Sequence, residues 1–249
     1  MYKKSLCVQL LLQKNYCIIS AVKDSLKGKN GKDMRARKKK HGAERLAAAS
    51  AVLCREKEAI FEDAQSPFDK HRPLCLEIGC GKGKFSCEMA IAHPDVNFYA
   101  MEKVEDVMVC AVEKAMAHEG GPRGNLRFIV GDAKELCEWF APKTFDCIFL
   151  NFSDPWPKKG YYKRRLTYRV FLEIYKTLLK DGGILRLKTD NVSLFDFSLE
   201  EFEAAGMEVV KCSRDLHASE FNEGNIMTEY ETNFSSQGMP INFAEVKVK

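Results

Sequence analysis

The chain has 249 residues, 45% hydrophobic and 30% charged, with a formal net charge of +4. It is long enough to bury one sizeable core in a single domain with an appendage, and no apolar run is long enough to span a membrane. Ten cysteines are scattered without a C-x-x-C pair, and Cys75, Cys110 and Cys147 sit inside apolar segments, so they read as reduced core thiols of a cytoplasmic protein without a disulfide framework or metal site.

Tyr2-Lys3-Lys4 and Leu10-Leu11-Leu12 outline a signal peptide, but Gln9, Gln13 and Lys14 interrupt it and no cleavage site follows. Residues 1–33 are expected to be an extension, disordered or reflecting a start placed too far upstream. A chain beginning at Met34 is therefore expected to fold and act like the full-length one, provided Arg35 to Lys40 are kept; an insoluble or inactive truncation, measured beside the whole chain, would refute this. Residues 34–65 read as a basic segment and an N-terminal helix. Lys27 to Arg45 contains Lys27, Lys29, Lys32, Arg35, Arg37, Lys38, Lys39, Lys40 and Arg45 against only Asp33 and Glu44, a composition suited to a polyanion or to a solvated tail. Residues 66–236 read as the main domain and 237–249 as a tail.

The main domain opens on an apolar strand, Leu74-Cys75-Leu76-Glu77-Ile78, followed by Gly79, Gly81 and Gly83. Alternating glycines let the backbone take positive φ and approach a ligand closely. Lys84 stands where a dinucleotide fingerprint needs its third glycine, which disfavours NAD. The pattern acid-x-Gly-x-Gly-x-Gly resembles the first motif of Rossmann-fold methyltransferases that use S-adenosylmethionine. Residues 85–92 read as a helix stopped by Pro94, and 96–101 as a strand ending at Glu102, the offset at which an acid accepts hydrogen bonds from ribose hydroxyls. A helix over 106–119 and a glycine-rich loop lead to a strand over 126–130, ending at Asp132 beside the adenine position. Residues 145–150 form an unbroken apolar strand, and 151–162 are too rich in Pro, Gly and charge for regular structure. A helix over 168–179, a turn at Asp181-Gly182-Gly183, a strand over 184–188, a helix over 194–205 and strands over 208–212 and 228–234 follow. The alternation gives an α/β fold, a seven-stranded, doubly wound, mostly parallel sheet.

After the strand at 145–150 the chain reads Phe152-Ser153-Asp154-Pro155-Trp156-Pro157-Lys158-Lys159, and further on Lys163-Arg164-Arg165-Leu166-Thr167-Tyr168, Leu187-Lys188-Thr189-Asp190-Asn191, Asp215-Leu216-His217 and Asn225-Ile226-Met227-Thr228-Glu229-Tyr230-Glu231. In this ordered set it resembles the bacterial tRNA (guanine-N7-)-methyltransferases over roughly residues 34–234, and Met34-Arg35-Ala36-Arg37-Lys38-Lys39-Lys40 resembles that family's basic start. The family pattern has Pro where this chain has Arg169. The resemblance implies S-adenosylmethionine as cofactor, tRNA as partner, and methylation of N7 of the variable-loop guanine at position 46. It implies that Glu77, Glu102, Asp132 and Asp154 bind cofactor or act at the site, and that Lys158, Asp190 and Thr228, Glu229, Tyr230 and Glu231 face the tRNA guanosine. Whether the protein is a monomer or a homodimer stays open.

Independently of the resemblance, Lys158, Lys159, Lys163, Arg164, Arg165 and Arg169 alternate with Tyr161, Tyr162 and Tyr168 and no acid intervenes, which offers phosphate contacts beside stacking surfaces. Asp-Pro is ordinary turn chemistry, but after a buried strand and before Trp156 it marks a site. Asp154-Pro155-Trp156 also has the outline of the acid-Pro-Pro-aromatic motif of amino-methylating enzymes, without its second proline. A non-catalytic RNA-binding protein would explain the basic runs but not the retention of Glu77, the three glycines, Glu102 and Asp154. His217, a lone histidine, is expected to pack or hydrogen-bond rather than to transfer protons.

Overall fold

The computed structural model describes residues 38–248; the expectations for residues 1–37 lie outside them. In chain order the elements are α1 (Gly42–Ala48), β1 (Leu53–Cys54), α2 (Lys57–Glu62), β2 (Leu74–Ile78), α3 (Lys84–Ala92), β3 (Asn97–Glu102), α4 (Glu105–Met116), β4 (Leu126–Val130), α5 (Leu136–Trp139), β5 (Phe145–Asn151), α6 (Arg169–Leu178), β6 (Leu179–Thr189), α7 (Val192–Ala204), β7 (Glu208–Ser213), α8 (Glu229–Ser235) and β8 (Asn242–Lys247). One sheet runs in the order β1-β4-β3-β2-β5-β6-β8-β7. Its first six strands are parallel, and β8 runs antiparallel to both β6 and β7.

Every residue of β2 and β3 is buried, because helices cover the sheet on both faces, and that is why these strands read as continuous apolar runs. Successive side chains still go to opposite sides. Leu76, Ile78, Tyr99, Met101, Ile148 and Leu150 pack with Phe171 and Leu172 of α6 and Phe195 and Phe202 of α7. Cys75, Phe98, Ala100 and Phe149 pack with Phe85 and Met89 of α3, Met108, Val109 and Val112 of α4, and Leu46 of α1. The anchoring of Leu46 makes the end of the basic segment part of the domain.

Three expectations are corrected. Residues 228–234 are not a strand: Thr228 caps α8, its side chain accepting from the Glu231 N–H while the Glu231 side chain accepts from the Thr228 N–H. This reciprocal Thr-x-x-Glu box nucleates a helix and outweighs the β-propensity of the aromatic and branched residues after it. The last strand lies instead at Asn242–Lys247, inside the stretch read as a tail, where Ile241, Ala244 and Val246 are buried. With β1, which pairs Leu53 with Phe128 at the far edge, the strands number eight among the described residues. Asp181-Gly182-Gly183 is no free turn, since β6 runs through it with a register shift against β5 between Phe145 and Cys147. A Cβ on Gly183 would come within 2.8 Å of the Lys180 carbonyl, so the irregularity depends on a glycine there.

Candidate functional site

In an open α/β sheet, ligands bind outside the carboxyl ends of the strands near the point where strand order reverses. Here that point lies between β2 and β5, and the glycine turn and the Asp154 loop both leave the sheet there. Gly79, Gly81 and Gly83 have φ of 77°, 57° and 75°, left-handed values that carry a steric cost for any other residue. The Gly79 and Cys80 N–H groups both donate to the Met101 carbonyl at the end of β3 (2.8 and 3.0 Å). A Cβ on Gly79 or Gly81 would meet nothing within 4 Å, whereas one on Gly83 would stand 2.8 Å from the Ala111 Cβ and 3.2 Å from its Cα. Two glycines therefore face open space, and the third, grouped with them from sequence, lets α3 pack on α4.

The acids around this turn have separate duties. Glu102 takes the Gly81 N–H on Oε2 (3.1 Å) and the Val104 N–H on Oε1 (2.9 Å), so its carboxylate is fixed at the end of β3 with a lone pair remaining on each oxygen. Asp132 accepts the Lys134 N–H on Oδ1 (3.0 Å) and keeps Oδ2 at the end of β4. Glu77 is only 3% exposed and accepts from the Ser86 hydroxyl and from Asn151 Nδ2 (2.9 Å). Burial pushes its carboxyl above the usual range against the pull of those two donors. Glu77 thus braces β2, α3 and β5 from behind the turn.

At the end of β5 the buried Asn151 Oδ1 and Ser153 Oγ have no hydrogen-bond partner among the described residues. Buried polar atoms are satisfied in the great majority of cases, so these two mark the end of β5 as a place where acceptor and hydroxyl capacity remains open. Asp154 follows, exposed and with no partner among the described residues. Its loop is held in costly geometry: Phe152 and Trp156 have φ of 52° and 41°, which a non-glycine residue keeps only when its surroundings impose it. The restraints are the Phe152 N–H to the Lys188 carbonyl (2.8 Å), Arg165 Nε to the Pro155 carbonyl (2.8 Å), and the Arg164 guanidinium 4.9 Å from the Trp156 ring centre and 4.7 Å from that of Tyr161.

The basic run divides on inspection. Lys158, Lys159 and Lys163 are exposed, but Arg165 is 8% exposed, stacks 4.5 Å over Phe197, and burial lowers its pKa. The expectation that it contacts phosphate is corrected, because its side chain is buried against Phe197 with Nε donating to the Pro155 carbonyl. Arg169 is bound to Glu201 (2.9 Å). Asp190, half-buried, ends the β6 segment beside the site, and Tyr230 on α8 is 54% exposed. Glu229 is bound by Lys114 (2.6 Å) and Lys82 (3.6 Å), tying α8 to the glycine turn. Glu231 is fully buried and meets Lys188 Nζ (2.7 Å) and His217 Nε2 (2.9 Å). The expectation that Glu231 itself faces the guanosine is corrected accordingly, whereas His217 has the hydrogen-bonding role expected of it. Ser86, Asn151, Ser153 and Lys188 were not singled out from sequence; a lysine closing an apolar strand was the one available signal, and its partners lie 37 to 43 residues away.

Among the described residues no helix is long and apolar enough to cross a membrane, and no three His, Cys, Asp or Glu side chains are grouped to hold a metal.

Residues 71–244 match the protein family described as "Putative methyltransferase". A tRNA (guanine-N(7)-)-methyltransferase of Geobacillus sp. (strain WCH70) is 44% identical over 214 residues, covering 86% of this chain and 96% of that one. The protein of the same name from Limosilactobacillus reuteri (strain DSM 20016) is 43% identical over 84% of this chain and 96% of its own. Among solved structures, the 16S rRNA methyltransferase KamB superposes with a TM-score of 0.58 at 16% identity over 77% of this chain and 94% of its own. An antibiotic-related methyltransferase gives 0.56 at 14% identity over 79% and 95%. At those identities the structures share the fold alone. The glycine turn with Glu102 fixed beside it, the strained Asp-Pro loop and these two relatives agree, and the chain belongs to the tRNA (guanine-N7-)-methyltransferases.

Proposed function

We propose that this protein transfers the methyl group of S-adenosylmethionine to N7 of the variable-loop guanine at tRNA position 46. The observation that carries the reading is Asp154: an exposed carboxylate without a partner among the described residues, held by a strained loop at the switch point beside the open glycines. Gly79 and Gly81 take the cofactor against the backbone, Glu102 accepts from its ribose, Asp132 takes the adenine side, and Asn151 and Ser153 supply the polar atoms beneath it.

Bound cofactor supplies a methyl group on a sulfonium, already a strong electrophile. Guanine N7 has an in-plane lone pair and no proton to lose, so the protein needs alignment more than a general base. As N7 is alkylated the ring becomes cationic and its N1 and exocyclic N–H groups become better donors. A carboxylate on that edge is favoured more in the transition state than in the ground state, the role of Asp154. Asp190 and Tyr230 border the guanosine, and Lys158, Lys159 and Lys163 take backbone phosphates. Lys38, Lys39, Lys40 and Lys82 line a cavity of about 280 Å³ against the start of α4, extending the basic rim on the other side of the turn. Incubation with labelled S-adenosylmethionine and tRNA, then identification of the modified base, tests the reading: label on an exocyclic nitrogen, on another position, or on no base would refute it.

The phosphate role has its own measurement. Changing Lys158, Lys159 and Lys163 together to Gln is expected to weaken tRNA binding and to reduce the slope of log affinity against log salt by about 2, through the loss of three released counterions. Cofactor affinity is expected to stay at the wild-type value, because the glycine turn is untouched. A salt slope equal to that of the wild type would remove these lysines from the interface.

A further inference from the structure

Lys188 holds both halves of the site at once. Across the sheet it is paired with Asn151, and its carbonyl accepts the Phe152 N–H (2.8 Å), fixing the left-handed residue two positions before Asp154. Its ammonium group donates to Asn225 Oδ1 (2.8 Å), the Ile226 carbonyl (2.9 Å) and Glu231 Oε2 (2.7 Å). Glu231 in turn accepts from Asn225 Nδ2 (2.8 Å) and meets His217 Nε2 (2.9 Å). The two halves also touch directly, with the Phe152 and Tyr230 rings 5.7 Å apart.

A buried ion pair is a costly way to attach a helix. Lys188 and Glu231 are 5% and 0% exposed, and well-packed apolar residues of the same volume would hold α8 equally well or better. What the pair adds is direction: three acceptors around one ammonium, and donors converging on one carboxylate, fix the rotation of α8 about its axis as an apolar contact does not. We propose that Lys188 and Glu231 are positioning residues for methyl transfer, setting the Asp154 loop against the exposed face of α8 so that the guanine ring is clamped in line with the methyl group. This rests on the function proposed above.

The chain has two tryptophans, Trp139 and Trp156. Trp139 is a core residue whose indole nitrogen has no hydrogen-bond partner among the described residues, so Trp139→Phe leaves Trp156, in the Asp154 loop, as the sole tryptophan. In that background Glu231→Gln, which keeps shape and removes charge, is expected to lower the single-turnover rate about 10- to 100-fold. Dissociation constants for S-adenosylmethionine and tRNA are expected to stay within about threefold, with a changed Trp156 emission and quenching. Glu231→Gln that folds with the parent rate and the parent Trp156 signal overturns the proposal. Should it not fold, Asn225→Ala, which removes one acceptor from Lys188 and one donor from Glu231 but keeps the pair, is expected to give a smaller loss in the same direction. A folded Asn225→Ala protein with unchanged rate and emission also overturns it. Failure of the tRNA reading is separable: the parent would then methylate no tRNA, while Trp156 emission would still report the link to Glu231.

Discussion

Asp154→Ala is expected to lower the single-turnover rate of tRNA methylation by about 10²- to 10³-fold, the cost typical of removing one preorganised electrostatic contact to a transition state. Binding of S-adenosylmethionine is expected to fall far less, within about threefold by titration, because the glycine turn and Glu102 remain. Asp154 is exposed and without a partner among the described residues, so its removal leaves no buried donor stranded and the thermal midpoint is expected to hold. Asp154→Asn keeps an acceptor without the charge and is expected to fall between the two. Undiminished turnover in either variant would reduce Asp-Pro-Trp to a turn.

The three glycines are expected to respond differently to the same change. Gly83→Ala adds a methyl group 2.8 Å from the Ala111 Cβ at a φ of 75°. Left-handed backbone costs about 1–2 kcal/mol for an L-residue and overpacking about 1–3 more. A loss near 3 kcal/mol corresponds to a thermal midpoint lower by about 6–12 °C for a chain of this size. Gly79→Ala and Gly81→Ala meet no protein atom within 4 Å and are expected to cost only the backbone part, about 1–2 kcal/mol. Their main effect falls on cofactor affinity, as the new methyl group occupies ligand space. Calorimetry with and without S-adenosylmethionine separates the two classes, and equal midpoints for all three variants would refute the division.

The central parallel strands β2 to β5 were legible because their signals are local, whereas the edge strand β1 was not expected. Strand β4 falls at the expected residues, and β2, β3 and β5 are bounded by the same apolar runs that announced them. The glycine turn and Glu102 were readable because the chain itself supplies the spacing. Features that depend on distant partners were not. Arg165 and Lys163 look alike in sequence, and only Phe197 and the Pro155 carbonyl make one of them internal. Strand β8 contains Glu245, which reads as solvent-facing until Arg186 (2.7 Å) and Lys211 (3.3 Å) are brought to it. Thr228-x-x-Glu231 is a local capping-box signature, and the strand expected over 228–234 did not take it into account. The divided duties of the glycines have no local signal either, since a conformation of φ > 0 serves ligand contact and helix packing equally.

The position of β8 restricts the order in which the molecule can assemble. Strand β7 is made first but reaches the sheet only through β8, which must slide between it and β6 with Arg186 opposite Glu245, a contact 59 residues apart in the chain. The sheet therefore cannot grow strand by strand as synthesis proceeds; β6 waits with an open edge, and closure is a late, non-local event. Lys188 sits on that waiting strand. Lys188, opposite Phe243 across that edge, gains its sheet neighbour on that side only when β8 arrives.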